Sequence, residues 1–233
     1  MYIYGKNVSV EALNDHKEIS KALIQDNFKE NDILNELHRR NIKIIKLSKF
    51  DMDKKVNGGL HQGIILEVPD YKYASIDSIL DLDNPLIVIL DHIEDPHNFG
   101  AIIRTCEAAG VDGIIIPEDR SVEVNGTVIK TSVGTADKMR IIRVTNIVNT
   151  LKLLKNNGFW IFGTDMDGED YTKLDYKGKT AIICGNEGSG MSRLVHDNCD
   201  FIASIPMKGT VNSLNASVAT GIIVFEAVKI RGN

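Results

Sequence analysis

The chain has 233 residues, 43% of them apolar, and a formal net charge of −5 at pH 7. That length and composition suit one large domain, or a small and a medium one, and exclude a disordered chain. The negative balance argues against a module that holds nucleic acid by bulk positive charge, so any RNA binding has to be local and patchy.

Cys106, Cys184 and Cys199 form no CxxC pair, and any disulfide scheme leaves one of them unmatched. They read as reduced, buried thiols of a cytoplasmic protein. The N-terminus lacks a basic segment followed by a long apolar core, and no later apolar run reaches the roughly 18 residues of a membrane span. Neither secretion nor membrane insertion is expected.

Residues 1–68 alternate short helical and extended patterns. Asn7 is placed to cap a helix through Leu13, and Asn31 to cap one through Arg40, where Ile33, Leu34 and Leu37 recur at helical spacing. Residues 42–47 and 63–68 read as strands around the Gly58-Gly59 turn. Residues 1–70 thus form a small α/β unit. Residues 71–84 are polar and aperiodic, which makes them the linker, with room for a short docking helix at 76–82. From residue 85 to 233 the pattern alternates. Strands fall at 86–90, 113–116, 140–144, 159–163, 180–184 and 201–205, and helices near 98–109, 124–132, 147–156 and 213–229. This is the signature of an α/β domain with a mostly parallel sheet covered on both faces.

Three segments stand at the ends of such strands. They are Asp95-Pro-His-Asn-Phe-Gly-Ala-Ile-Ile-Arg104, Cys184-Gly-Asn-Glu-Gly-Ser-Gly-Met191, and residues 205–220, which leave an apolar strand and open a helix with small and amide residues. Open α/β sheets bind ligands in the crevice beyond the carboxyl ends of their strands, so the three segments suggest one composite site. Gly185, Gly188 and Gly190 let main chain approach a ligand closely, although a plain surface turn has the same composition. Their spacing is not that of the GxGxxG dinucleotide fingerprint, which argues against a nucleotide-dependent oxidoreductase. Arg104 follows Asn98 by about one and two-thirds helical turns, which places it near the crevice after the first strand of this domain. A guanidinium with a pKa above about 12 is better suited to orienting a phosphate than to acting as a base; a surface ion pair is its ordinary use. Asn98 is equally suited to capping the helix, and a loop glutamate such as Glu187 is ordinarily solvated. Ser213 and Asn215 open the last helix, either as caps or as part of an anion site. His92, Glu94, Asp95 and His97 lack the HExxH spacing, and no metal is assigned.

Together the three segments resemble the motifs of the SpoU/TrmH family of RNA ribose 2′-O-methyltransferases, over about residues 84–229. The whole chain is similar to the RlmB-like branch, which modifies 23S ribosomal RNA. The resemblance implies a C-terminal SPOUT α/β trefoil-knot methyltransferase domain, with residues 205–215 threaded through an earlier loop. Before it the resemblance implies a small ribosomal-protein-L30e-like α/β domain that recruits RNA. It implies S-adenosylmethionine as the cofactor, held by Gly185, Ile205 and Leu214 with Gly163 and Thr164 nearby. Arg104 then activates or orients the ribose hydroxyl, supported by Asn98, Glu187, Ser213 and Asn215, and Lys130 becomes a phosphate contact. A solvated helix-end lysine is the plain reading of the same position.

The basic stretch that includes Arg39, Arg40, Lys43, Lys46, Lys49, Lys54 and Lys55 could grip an RNA backbone, an inference opposed by the interspersed Asp51 and Asp53. The resemblance further implies a homodimer that acts on 23S ribosomal RNA or a ribosome-assembly intermediate, most directly at a guanosine. A transfer-RNA methyltransferase of the same family and a non-catalytic ribosome-assembly protein are the alternatives.

Overall fold

The computed structural model describes residues 1–186, 188, 190–211 and 213–232, in two compact units. The first comprises Met1–Lys72 and Glu123–Ala136, the second Tyr73–Val122 and Asp137–Asn233. The helical segment near 124–132, which lies in the linear span of the second domain, therefore packs with the first unit.

Among the described residues, the first unit has a four-stranded sheet in the order β1 (Tyr2–Tyr4), β4 (Ile64–Glu67), β2 (Lys21–Gln25), β3 (Lys43–Leu47). The β2–β3 pair is parallel and the other pairs are antiparallel. Helices α1 (Lys6–Asn14), α2 (Asn31–Arg39) and α3 (Lys49–Lys55) bury Val8, Leu13, Ile33, Leu37 and Met52. The two expected caps are displaced. Gly5, at φ 101°, caps α1 and puts Asn7 inside the helix, while Glu30 precedes α2 and Asn31 is its first residue. A φ of that sign suits glycine, which lets the chain turn directly from β1 into α1.

In the second unit a six-stranded sheet runs β10 (Phe201–Ser204), β8 (Trp160–Asp170), β9 (Thr180–Gly185), β5 (Leu86–Asp91), β6 (Gly113–Pro117), β7 (Ile141–Val144), with every pair parallel. Ile87, Ile89, Ile115, Ala181 and Ile183 form one apolar layer with Ile147, Leu151 and Leu154 of α7 (Ile147–Asn156), Ile79 of α4 (Asp77–Leu80) and Val195 of α8 (Arg193–His196). Alternate residues Val88, Leu90, Ile182 and Cys184 are also buried, on the side where α9 (Ala216–Arg231) packs against β9 and α5 (Pro96–Ala108) against α9. Each such aliphatic side chain stabilises the fold by roughly 1.5–3 kcal/mol, which is why runs buried on both faces specify this sheet.

The strand order grows outward from β5 through β6 to β7, then resumes on the other side with β9, β8 and β10. This reversal creates a crevice at the carboxyl ends of β5 and β9. No helix among the described residues is long and apolar enough to cross a membrane.

Candidate functional site

Where β9 and β10 end, beside the middle of β8, lies a cavity of about 380 Å³, closed on one side by the start of α9. That volume falls within the roughly 300–1,000 Å³ of small-molecule sites. Thr164, Gly185, Ile205 and Leu214, expected from the sequence, line it together with Ser213. Gly163 does not. A Cβ there would stand 2.7 Å from both the Cys199 sulfur and the Met191 methyl, so this glycine gives room to the packing beneath the cavity. Among the described residues Asp165 is the one charged side chain in the lining. Cys184 also contributes to the wall, and burial pushes its thiol up to about 11, which keeps it neutral and unreactive there.

The glycine segment after β9 folds back on itself. Asn186 and Gly190 exchange backbone hydrogen bonds of 3.1 and 2.9 Å, and the Gly188 amide donates to Asn186 Oδ1 at 2.9 Å. Gly185 has to be glycine for this to close, because a Cβ would lie 2.3 Å from the Gly190 carbonyl carbon. The loop is also tied to β5. Asn186 Nδ2 donates to the His92 carbonyl at 2.7 Å, and the Ser192 amide donates to Asp91 Oδ2 at 2.8 Å.

Asp91 is 1% exposed, and its other oxygen accepts from His92 Nδ1 at 2.5 Å. His92 itself sits at φ 63°, a conformation that costs a non-glycine residue about 1–2 kcal/mol and is sustained here by these bonds. Sequence reasoning missed Asp91. The available signal was a carboxylate ending a strand that is otherwise wholly apolar.

Of the residues expected to act on substrate, the structure joins two. Asn215 Nδ2 donates to Asn98 Oδ1 at 2.9 Å, linking α9 to α5. Asn98 is not the cap it was suited to be, whereas Asn215 takes the cap reading of its position. Asp95 caps α5, accepting from the His97 amide, with Pro96 in the first turn, so Asn98 lies inside the helix. Asn215 caps α9, whose first residue is Ala216, and its Oδ1 accepts from the Ser217 and Val218 amides. Those two amides are therefore satisfied internally, and the helix opens at 216 rather than 213. Arg104 is exposed on α5; among the described residues no hydrogen bond or ion pair engages its guanidinium. Glu187 lies outside the described residues.

Three of the four residues expected to hold RNA are committed within the first unit. Lys130, in α6 (Gly126–Thr131), donates to the Leu60 carbonyl and sits 5.2 Å from the Tyr4 ring centroid, and desolvation lowers its pKa. Arg39 makes a two-pronged pair with Glu36 at 2.8 and 2.7 Å. Arg40 donates to the carbonyls of Leu13 and Lys17. Lys49, at the start of α3, is exposed.

Comparison with known proteins gives a consistent picture. Residues 85–225 match the SpoU rRNA Methylase family, and residues 2–74 match a family described as RNA 2′-O ribose methyltransferase substrate binding. A protein of Staphylococcus saprophyticus named as a TrmH family tRNA/rRNA methyltransferase is 41% identical, over 98% of this chain and 95% of its own length. The SpoU methyltransferase AviRb of Streptomyces viridochromogenes, solved in complex with the cofactor AdoMet, shares the fold with a TM-score of 0.79. It is 24% identical over 98% of this chain and 89% of that one. A TrmH/SpoU tRNA modifying enzyme of A. aeolicus is 36% identical, over 63% of this chain and 75% of its own, with a TM-score of 0.59.

Proposed function

Because this chain belongs to the SpoU/TrmH family of RNA methyltransferases, we propose that it transfers a methyl group from S-adenosylmethionine to a ribose 2′-hydroxyl of RNA, most directly a guanosine of 23S ribosomal RNA. The observation that carries this reading is the cavity bounded by Thr164, Gly185, Ile205 and Leu214, where β9 and β10 end beside the middle of β8. Its wall of main chain and largely apolar side chains, with Thr164, Asn186 and Ser213 as polar groups and, among the described residues, one carboxylate at Asp165, fits a nucleoside-bearing ligand that also carries positive charge. The AdoMet bound to the Streptomyces neighbour supports the same ligand here.

When bound, S-adenosylmethionine supplies a methyl group already activated by a sulfonium, so the protein's work is positioning and proton management. Gly185 and the amides after it set the depth of the pocket, and the anchors at Asp91 and Asn186 hold that rim in place. The Asn98–Asn215 hydrogen bond fixes α5 against the start of α9. Arg104, six residues further along α5, reaches outward to orient the phosphate beside the target ribose, which with its neighbours accepts the hydroxyl proton. Glu187 is proposed to steady that guanidinium, and Ser213 to line the substrate side of the pocket. The first unit, by this reading, recruits RNA. The same family reading includes the threading of residues 205–215 as a trefoil knot, a homodimeric enzyme and a cytoplasmic setting.

Transfer RNA is the second candidate substrate, favoured by the 36% identity to the A. aeolicus enzyme over 63% of this chain. Arg104→Ala separates catalysis from binding. The variant is expected to keep its melting temperature and its calorimetric affinity for S-adenosylmethionine while turnover falls by far more than tenfold, the equivalent of about 1.4 kcal/mol. A loss smaller than tenfold contradicts the assigned role. Undetectable cofactor binding by the parent protein favours the non-catalytic assembly protein instead.

A further inference from the structure

The surface around α3 carries a feature that the general RNA-directed reading leaves unexplained, and the inference drawn from it rests on that reading. Helix α3 turns Met52 inward, with Val56 buried just beyond its end. Phe50 lies two residues before Met52, about 200° around the helix, and accordingly points to solvent, 75% exposed. Covering a phenyl ring is favourable, and the isolated chain forgoes that burial at this position.

Three lysines lie near the ring. Lys54 follows Phe50 by four residues and shares its face, Lys49 immediately precedes it, and Lys46 leaves the adjoining strand β3; all three are exposed. The carboxylates that seemed to oppose an RNA contact are turned to structural work. Asp51 accepts from the Ser48 hydroxyl at 2.6 Å as part of the helix cap, and Asp53 pairs with the buried His61 at 3.1 Å. Among the described residues no carboxylate pairs with Lys46, Lys49 or Lys54.

We propose that Phe50 is a stacking platform for an unpaired base of the RNA substrate, with Lys46, Lys49 and Lys54 taking the flanking phosphates. A set of flexible cations near an exposed aromatic ring complements single-stranded RNA, which offers both a base face and phosphates. A paired A-form helix hides its base faces.

The test is the affinity of the full-length protein, without cofactor, for a fluorescein-labelled unstructured oligoribonucleotide and for a fully paired RNA duplex, measured by anisotropy across a salt series. Phe50→Ala is expected to weaken single-strand binding about tenfold and leave duplex binding unchanged, while Phe50→Trp retains affinity. Lys49→Ala/Lys54→Ala lowers the salt slope by about 1.4, as expected for two lost phosphate contacts on a single strand. Single-strand affinity of Phe50→Ala within twofold of the parent overturns the proposal. So does concentration-dependent self-association of the parent that Phe50→Ala abolishes, because the face is then a protein contact. Since the assay holds no methyl donor, failure of methyl transfer sinks the enzymatic reading alone.

Discussion

Gly185→Ala probes the geometry on which the candidate site depends. The added methyl would lie 2.3 Å from the Gly190 carbonyl carbon, 2.4 Å from the Met191 amide nitrogen and 2.7 Å from the Gly190 oxygen. All three are backbone atoms, so no side-chain rotation relieves the contact. Reaching ordinary separations of roughly 3.5 Å requires the loop to retreat by about 1 Å. That movement opens the paired Asn186–Gly190 backbone hydrogen bonds, each worth about 1 kcal/mol net. The expected loss of about 2 kcal/mol lowers the melting temperature by roughly 4–8 °C for a chain of this size. Gly185 and Gly190 also line the cavity, so affinity for S-adenosylmethionine falls at least about tenfold. Gly209→Ala is the control, since a Cβ there meets nothing within 4 Å. Scanning calorimetry and isothermal titration report both quantities. A Gly185→Ala protein that melts and binds cofactor like the parent refutes the close-packed loop as the wall of the site.

Asp91→Asn keeps the shape of a buried group but removes the charge that accepts from Ser192 and His92. It is expected to destabilise the protein by about 2 kcal/mol and to raise the Michaelis constant for the cofactor more than it lowers turnover; unchanged melting and kinetics would show that the loop does not need this anchor. Alkaline pH should weaken the fold. Burial raises Cys184 from 9.0 to about 11 and Cys199 from 9.0 to about 12, and Cys106 is also raised. The unfolded chain therefore loses these thiol protons first, and stability falls as pH rises from 9.0 through about 11. Melting curves between about pH 8 and pH 10 should show the decline, and Cys184→Ala should flatten it. A slope identical in the variant contradicts burial as its cause.

The second unit was legible because its strands are buried on both faces: continuous runs such as Leu86–Asp91 and Gly113–Pro117 have few alternative uses. The family resemblance, and the parallel α/β sheet read from the alternation of strands and helices, are borne out by the matched families and the shared fold. Strand β1, three residues long, and helix α3, with Met52 as its one buried position, carried too little periodicity to be seen. The extension of β8 to Asp170 also escaped notice, because its polar second half pairs with β10 through a register shift. In the cavity, Thr164, Gly185, Ile205 and Leu214 were readable from motif position. The tie from Asp91 to Ser192 was not, since it joins residues 101 apart. Nor could sequence show that Lys130 and Arg40 already have intramolecular partners, for those depend on which carbonyls and rings the fold brings near.

The most direct measurement is transfer of radiolabelled methyl from S-adenosylmethionine to unmodified ribosomal RNA and, in parallel, to unmodified transfer RNA, followed by mass-spectrometric mapping. Label is expected on a ribose 2′-oxygen of one guanosine in 23S ribosomal RNA, with none from Arg104→Ala. Label confined to transfer RNA would keep the chemistry and overturn the substrate. Base methylation, or no transfer by a protein that binds the cofactor, contradicts the central claim.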